Sequence, residues 1–417
     1  MWQDFKNIYH LAQAIASNAW FGFPSRGLKV IGVTGTDGKT TTSSLIYHIL
    51  KESGLNASMI SSIGAKIDGR DYDVGFHVTT PSTYQLQGFI NRARKTGSKG
   101  NDNYLVLELT SHAIDQRRAW GVNFEIGVLT NVTNEHLDYH KDYEDYVKTK
   151  FRLLKGARVG ILNKDDKSFE AISKLKEFNE NDKKWITYAV KSKADFTIDN
   201  FPFKSSLVGE FNKYNTLAAI AVCKTLGLDD DLIRKAIKTF SSPIGRVDEI
   251  YRKDFSVVVD FAHTSNAIKN ILSSVRKDVN GRIIHVFGSA GERDALKRPE
   301  MGQSSSAYAD IIILTSEDPR SESIEEINTA IEKGLGKKFK LVNSQDYKDK
   351  QSKKRIYFKI NDRLEAIKFA ISIAKRGDMV ILTGKGHEKS MNMGKGEEPW
   401  NEYEAVKAAI QQRLEQK

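Results

Sequence analysis

The stretch Gly32-Val-Thr-Gly-Thr-Asp-Gly-Lys-Thr-Thr-Thr42 brings together glycines at positions 32, 35 and 38, a lysine and a run of hydroxyls. Glycines let a backbone come close to oxygens and turn N–H groups toward one anion, and a helix N-terminus adds its dipole. Lys39 would neutralise phosphate charge, and the Thr40 hydroxyl is a hard oxygen suited to Mg2+. The common phosphate loop, G-x-x-x-x-G-K-[ST], asks for glycine at position 33, where this chain has Val33. The stretch reads as a nucleotide loop with its own spacing; the competing reading is a glycine-rich turn with a threonine cap.

Such a loop needs metal ligands nearby. Glu108 sits inside the otherwise apolar run "LVLELTSH", where an acid is costly unless paired or ligated. The segment from Leu129 to His140, "LTNVTNEHLDYH", concentrates hydroxyls, amides, Glu135, His136, Asp138 and His140. Taken alone, it reads equally well as a polar loop with capped turns.

The elements that must hold these residues alternate between strand-like and helix-like patterns. Leu28-Lys-Val-Ile-Gly-Val33 is a short β-rich run, and Thr41 to Glu52 continues with helical spacing at Leu45, Ile46, Ile49 and Leu50. Further buried-strand runs are Tyr104–Leu109, Ile126–Thr130, Val159–Leu162, Ser256–Asp260, Arg282–Phe287, Ile311–Leu314 and Met379–Thr383. The alternation predicts α/β architecture, in which ligands bind beyond the carboxyl ends of the strands. A helical pattern from Asp230 to Phe240 stops at Ser241-Ser-Pro-Ile-Gly245, which places the main domain boundary there. Residues 1–27 predict a helix followed by an extended link through Pro24.

At 417 residues the chain is long enough for two or three domains, and no fixed-period repeat interrupts it. Its single cysteine, Cys223, excludes an internal disulfide framework and lies in an apolar helical setting, which favours a reducing, cytoplasmic home. No apolar run approaches the roughly 18 residues of a membrane span, and the N-terminus lacks a secretory leader pattern. The net charge of +11 would suit nucleic acid, an anionic surface or anionic small molecules. Much of the excess lies between Lys337 and Lys359, read as a solvated surface excursion because it lacks the spaced aromatics of a stacking platform.

In chain order, "GVTGTDGKTTT", "LELTSH", "LTNVTNEHLDYH", "YVKTKFRLL", "GEFNKYNTLAAIA", "GRVDEI", "VVDFAHTSNAI", "FGSAGERDALKRPEMG", "SEDPRSE" and "LTGKGHE" resemble the motif series of the Mur ligases. The later motifs most resemble the MurE branch. The resemblance runs from about residue 28 to the C-terminus and implies an N-terminal helix and linker at 1–27. It further implies a central P-loop ATPase domain with a mostly parallel sheet at 28–243 and a C-terminal Rossmann-like α/β domain at 244–417. It also implies an ATP- and Mg2+-dependent amide ligase that acts on UDP-muramoyl dipeptide and a diamino acid, through an acyl phosphate.

Carried over by motif, the nucleotide would meet Gly35, Thr36, Asp37, Gly38, Lys39, Thr40 and Thr41, with Asn212 and Asn215 on the adenine side. The spacing of those two asparagines also fits a simple helix cap. Arg246, Asp260 and His263 match phosphate and ribose contacts. Thr40, Glu108, His136 and Lys150 match metal-site residues, Lys150 being the lysine the family carbamylates; without the resemblance it reads as an exposed helix lysine. Lys39, Glu108, His136 and Lys150 would thus carry the catalysis. Thr79, Thr80, Thr110, Gln116 and Arg118 fall where the family holds the acceptor. Arg293, Asp318, Arg320, Gly384 and Glu388 fall where it holds the incoming amino acid, an arginine fork suiting a carboxylate and Glu388 an ammonium.

Three departures stand out. Only 27 residues precede the first strand run, whereas MurE enzymes begin with a uridine-nucleotide-binding domain. The resemblance then implies a different grip on the acceptor, a partner chain that supplies the uridine-binding function, or another acceptor. Members selecting meso-diaminopimelate read Asp-Asn-Pro-Arg where this chain has Glu317-Asp-Pro-Arg320; diaminopimelate stays the first expectation and lysine the second. Asp37 replaces the loop's usual asparagine. Rival readings are a folylpolyglutamate synthase-like ligase, whose loop has Gly-Lys-Gly-Ser, and a nucleotide-binding subunit without ligase activity of its own. A basic ATPase acting on nucleic acid has no base-reading motif behind it, so the expectation is no nucleic acid and no membrane span.

Overall fold

The computed structural model describes residues 2–75, 80–96, 103–133, 135, 139–179, 183–347 and 355–415. They divide into two compact units, Met1–Ser241 and Ser242–Lys417.

The first unit carries strands β1 (Lys29–Thr34), β2 (Asn56–Ser61), β3 (Gly64–Ile67), β4 (Arg70–Tyr72), β5 (Asn103–Glu108), β6 (Phe124–Leu129), β7 (Val159–Asn163) and β8 (Lys184–Tyr188). Its helices are α1 (Trp2–Trp20), α2 (Lys39–Glu52), α3 (Thr83–Lys95), α4 (Ser111–Asp115), α5 (Tyr143–Gly156), α6 (Lys167–Ser173), α7 (Lys176–Asn179), α8 (Glu210–Thr225) and α9 (Asp230–Thr239). The strands form one sheet in the order β4-β3-β2-β5-β1-β6-β7-β8. From β2 to β8 every neighbouring pair is parallel, and β3 and β4 extend the β2 edge as antiparallel strands.

Both faces of this sheet are covered, as a parallel sheet requires. Alternation along β1 sends Ile31 and Val33 toward α2, α8 and α9, and Val30 toward the face that packs α3 and α5. Cys223 lies fully buried on α8. Pro24–Gly27 forms a short 3-10 turn instead of the expected extended link; proline's fixed φ suits the first position of such a turn.

The second unit carries β9 (Asp248–Arg252), β10 (Ser256–Val259), β11 (Ile283–Phe287), β12 (Ile311–Leu314), β13 (Lys340–Leu341), β14 (Ile356–Lys359), β15 (Met379–Leu382), β16 (Ser390–Asn392) and β17 (Glu397–Pro399). Its helices are α10 (Ser265–Arg276), α11 (Lys297–Tyr308), α12 (Ile324–Glu332), α13 (Arg363–Ile373) and α14 (Glu402–Glu415). The main sheet runs β13-β14-β12-β11-β15-β10-β9, parallel except for β9, while β16 and β17 pair apart from it. Helices α13 and α14 cover one face and α10, α11 and α12 the other, the doubly wound arrangement expected of a Rossmann-like domain.

One stretch departs from its reading as a solvated excursion. Within the lysine-rich segment, Ile356, Tyr357 and Phe358 are buried in β14, inside the sheet between β12 and β13. The surrounding lysines hid a three-residue apolar run, and Lys359 itself is paired with Glu325 and Glu332 at 2.9 and 2.8 Å.

Candidate active site

Strand β1 lies at the centre of the first sheet between β5 and β6, and the loop Gly35–Gly38 leaves its carboxyl end to start α2. Gly38 adopts φ 81°, and a Cβ there would sit 2.2 Å from Asn215 Oδ1. A Cβ on Gly35 would sit 1.8 Å from Thr130 Oγ1. Both positions therefore require glycine, and the loop is pressed against its neighbours. The first amides of α2 lack partners within the helix and form a donor cluster at its positive end.

The carbonyls of the loop are each held. Lys150 Nζ donates to Gly35 O at 2.7 Å and Lys39 Nζ to Thr36 O at 2.7 Å. Thr130 Oγ1 and Asn131 Nδ2 donate to Asp37 O at 2.7 and 3.1 Å. With its carbonyls engaged outward, the loop forms a concave cradle of the kind that binds phosphate oxygens.

Beside it, Thr40 Oγ1 donates to Glu108 Oε1 at 3.2 Å and lies 2.9 Å from Ser62 Oγ. Glu108 ends β5 almost fully buried, and its Oε2 accepts from Ser62 N at 3.1 Å. A threonine hydroxyl and a carboxylate so close together are a fitting pair of hard donors for Mg2+. Ser62 went unnoticed in the sequence, because one serine after a short polar strand carries no signal of its own.

Lys150 is 1% exposed, in contrast to the exposed lysine that its sequence setting alone suggests. Helix α5 buries Tyr146, Lys150, Leu153 and Leu154 on one face, the spacing of an amphipathic helix, so Lys150 occupies a core-facing position. Burial, and then the nearby Lys39 charge, push its pKa well below the ordinary lysine value, with Glu135 and Asp37 acting against that. Its ammonium-bearing end lies 4.4 Å from the centre of the Tyr146 ring. Tyr146 OH in turn is 3.2 Å from Thr36 Oγ1.

Asn212 and Asn215 lie inside α8, which Gly209 caps without a side-chain bond. Asn212 donates to Val208 O at 2.7 Å and its Oδ1 accepts from Asn215 Nδ2 at 2.9 Å. The simple cap is therefore excluded, and the pair lies against Gly38 on the loop. Four of the acceptor-side residues cluster past β5. Thr80 Oγ1 accepts from Thr110 N at 3.2 Å, Thr80 O from Arg118 Nη1 at 3.0 Å, and Gln116 Oε1 from Arg118 Nε at 2.9 Å. Thr110 also caps α4. His136, Asp138 and Thr79 lie outside the described residues.

In the second unit, candidate residues gather past the carboxyl ends of four adjacent strands, β12, β11, β15 and β10. After β10, Asp260 accepts from Val247 N at 2.7 Å and Ala262 N at 2.6 Å. His263 Nδ1 is 2.9 Å from Phe261 O, and the Arg246 guanidinium lies 4.7 Å from the centre of the Phe261 ring. Arg293 is exposed after β11, and Arg320 after β12 donates to Gly291 O. Asp318 is committed to the buried Lys385, whose Nζ reaches its two oxygens at 2.9 and 3.0 Å and Glu388 at 2.7 Å. Gly384, at φ 104°, lets the Glu317 carboxyl pass, since a Cβ there would meet Glu317 Oε2 at 2.3 Å. Arg363, buried against Glu402 at 2.6 Å, donates to Ser316 O and Thr383 O and so ties the β12 and β15 loops together. Its role was not legible beforehand, because its partner is 39 residues away along the chain.

Comparison with known proteins places this geometry among relatives. The model of the Mur ligase middle domain matches residues 33–223, and that of the Mur ligase glutamate ligase domain matches 245–386. A UDP-N-acetylmuramoyl-L-alanyl-D-glutamate--2,6-diaminopimelate ligase of Aquifex aeolicus is 36% identical over 415 residues, 95% of this chain and 80% of the relative. A solved structure of a ligase with that name is 29% identical with TM-score 0.60, over 94% of this chain and 80% of the other. A Mycobacterium tuberculosis folylpolyglutamate synthase complexed with ADP shares the fold, with TM-score 0.68 at 16% identity over 97% of this chain and 94% of the other. With both models matched in chain order and 36% identity to a relative along 95% of its length, this chain belongs to the Mur ligase family.

Proposed function

We propose that the chain is an ATP- and Mg2+-dependent amide ligase of the cytoplasm. It adds a diamino acid, meso-diaminopimelate first, to the D-glutamyl carboxylate of UDP-N-acetylmuramoyl-L-alanyl-D-glutamate in peptidoglycan synthesis. The observation that carries this reading is the convergence of Lys39, Thr40, Glu108 and Lys150 on one glycine-built loop, in a chain that resembles diaminopimelate-adding relatives over nearly its full length.

The reaction transfers the γ-phosphoryl group to the acceptor carboxylate, and the amine attacks the resulting acyl phosphate. The adduct collapses to an amide as phosphate leaves and the amine gives up its proton. Each step crowds anions, so the protein must supply cations and fixed donors. Lys39 and the α2 amides would take the phosphates, and Asn212 and Asn215 the adenine side. Thr40 and Glu108 would hold Mg2+, which when bound neutralises phosphate charge; His136 is the further proposed ligand. Burial keeps Lys150 in its neutral amine form. That is the form able to take up CO2 as a carbamate, releasing a proton and turning a repelled cation into an oxygen ligand.

In the second unit, Arg246, Asp260 and His263 are proposed for the nucleotide, and Arg293, Arg320, Gly384 and Glu388 for the incoming amino acid. Asp318 would act through Lys385 and Glu388. Thr79, Thr80, Thr110, Gln116 and Arg118 are proposed for the acceptor.

The test is phosphate release by the purified chain with ATP, Mg2+ and the muramoyl dipeptide, comparing diaminopimelate, lysine and no amine. Diaminopimelate-dependent release is expected, without a partner chain. A preference for lysine would move the substrate assignment, and no amine-dependent release with either would sink the proposal.

A further inference from the structure

The Asp37 peptide is bracketed by one side chain. Asn131 Oδ1 accepts from Asp37 N at 2.9 Å, while Asn131 Nδ2 donates to Asp37 O at 3.1 Å. The Asn131 carbonyl also accepts from Thr36 N at 2.9 Å. Thr130 Oγ1 adds a second donor to Asp37 O at 2.7 Å.

The residues on both sides of Asn131 are themselves fixed. Thr130 N donates to Thr34 O at 3.0 Å. Thr130 O accepts from Asn163 Nδ2 and Tyr188 OH, both at 3.2 Å, from the ends of β7 and β8. Val132 N donates to Asp166 Oδ1 at 3.0 Å. The carboxyl ends of β1, β7 and β8 thus hold the Thr130-Asn131 corner, and the corner holds the loop.

We propose that Asn131 is a positioning residue for nucleotide binding: its amide clamps the Thr36-Asp37 backbone and sets the curvature of the phosphate loop before ligand arrives. The clamp needs one acceptor and one donor on a short side chain, which asparagine has and an ionised aspartate lacks. A loop already curved loses less freedom when phosphate binds, so the gain appears as affinity. The proposal rests on the nucleotide reading above, and it makes Asn131 act through the backbone, without touching the ligand.

The test uses the full chain and Mg-ADP titration by calorimetry, with ATP kinetics alongside. Asn131→Ala is expected to weaken Mg-ADP about tenfold or more, with KM for ATP raised in step and kcat at saturating ATP within about twofold of wild type. Asn131→Asp is weak when its new carboxyl is ionised. Its deficit relative to wild type should shrink as pH falls from about 8 to about 5, where protonation restores a donor. Wild-type affinity in Asn131→Ala, a loss confined to kcat, or a pH-independent deficit in Asn131→Asp would each overturn the proposal. If Asn131→Ala fails to fold, the pH dependence of Asn131→Asp decides alone. No Mg-ADP binding by the wild-type chain would remove the nucleotide reading and this inference together; wild-type binding unchanged by either variant removes only the inference.

Discussion

A carboxyl group that is 6% exposed, with one oxygen lacking a hydrogen-bond partner, is costly to ionise, and Glu317 is such a group at the end of β12. Burial pushes its pKa up from 4.5 to about 7, against the pull of His263, Arg363 and Lys297. The folded chain therefore holds this proton more tightly than the unfolded chain, and the group's stabilisation is lost as pH rises from 4.5 to about 7. Glu317→Gln is expected to flatten that loss and to be more stable than wild type at pH above 7, by up to ~3 kcal/mol. Urea denaturation on both sides of the window measures it; equal pH slopes for variant and wild type would show the carboxyl to be better satisfied than its surroundings indicate. Lys150 is the mirror case, a cation whose burial favours the neutral form. In both, the residue type was visible in the sequence but its burial was not, since burial depends on elements far along the chain.

Helix α5 shows how an element positions a side chain. It lies close against the sheet because two strand positions beneath it are glycines. A Cβ on Gly32 would meet Leu153 at 2.8 Å, and one on Gly127 would meet the Leu154 backbone at 3.0 Å and Ala157 at 3.1 Å. That close approach brings Lys150 within 2.7 Å of Gly35 O. Gly127→Ala should lift α5, costing about 1–3 kcal/mol of stability and lowering ligation by more than the stability loss explains, as read by denaturation and phosphate release together. Unchanged activity at a clear stability cost would mean that the Lys150 contact tolerates the shift. The parallel strands β1, β5, β6, β7, β10, β11, β12 and β15 were legible to within a residue or two, because doubly covered strands are nearly continuous apolar runs. Strands β2, β3 and β4 were not, since their serines, glycines and charges break the pattern at the sheet edge. Strand β14 was masked by its lysine-rich flanks.

Each of the two units has its own pair of apolar layers around its own sheet, so each meets the requirement for independent cooperative folding. Fragments 1–241 and 242–417, made separately, are expected to unfold cooperatively in urea; a fragment without a sigmoidal transition would show that its unit depends on the remainder of the chain. No helix among the described residues is long and apolar enough to cross a membrane. The net charge of +11 fits a protein that handles phosphates and carboxylates. The sequence by itself determined the α/β class, the phosphate loop and the order of the ligand loops, because these depend on local periodicity and on glycine spacing within a few residues. Only the tertiary structure decided that Lys150 is buried, that Asp318 is spent on Lys385, that Glu317 keeps an unpartnered oxygen and that Asn131 clamps the loop. Each of those is a meeting of residues distant in sequence, where packing and desolvation set the chemistry.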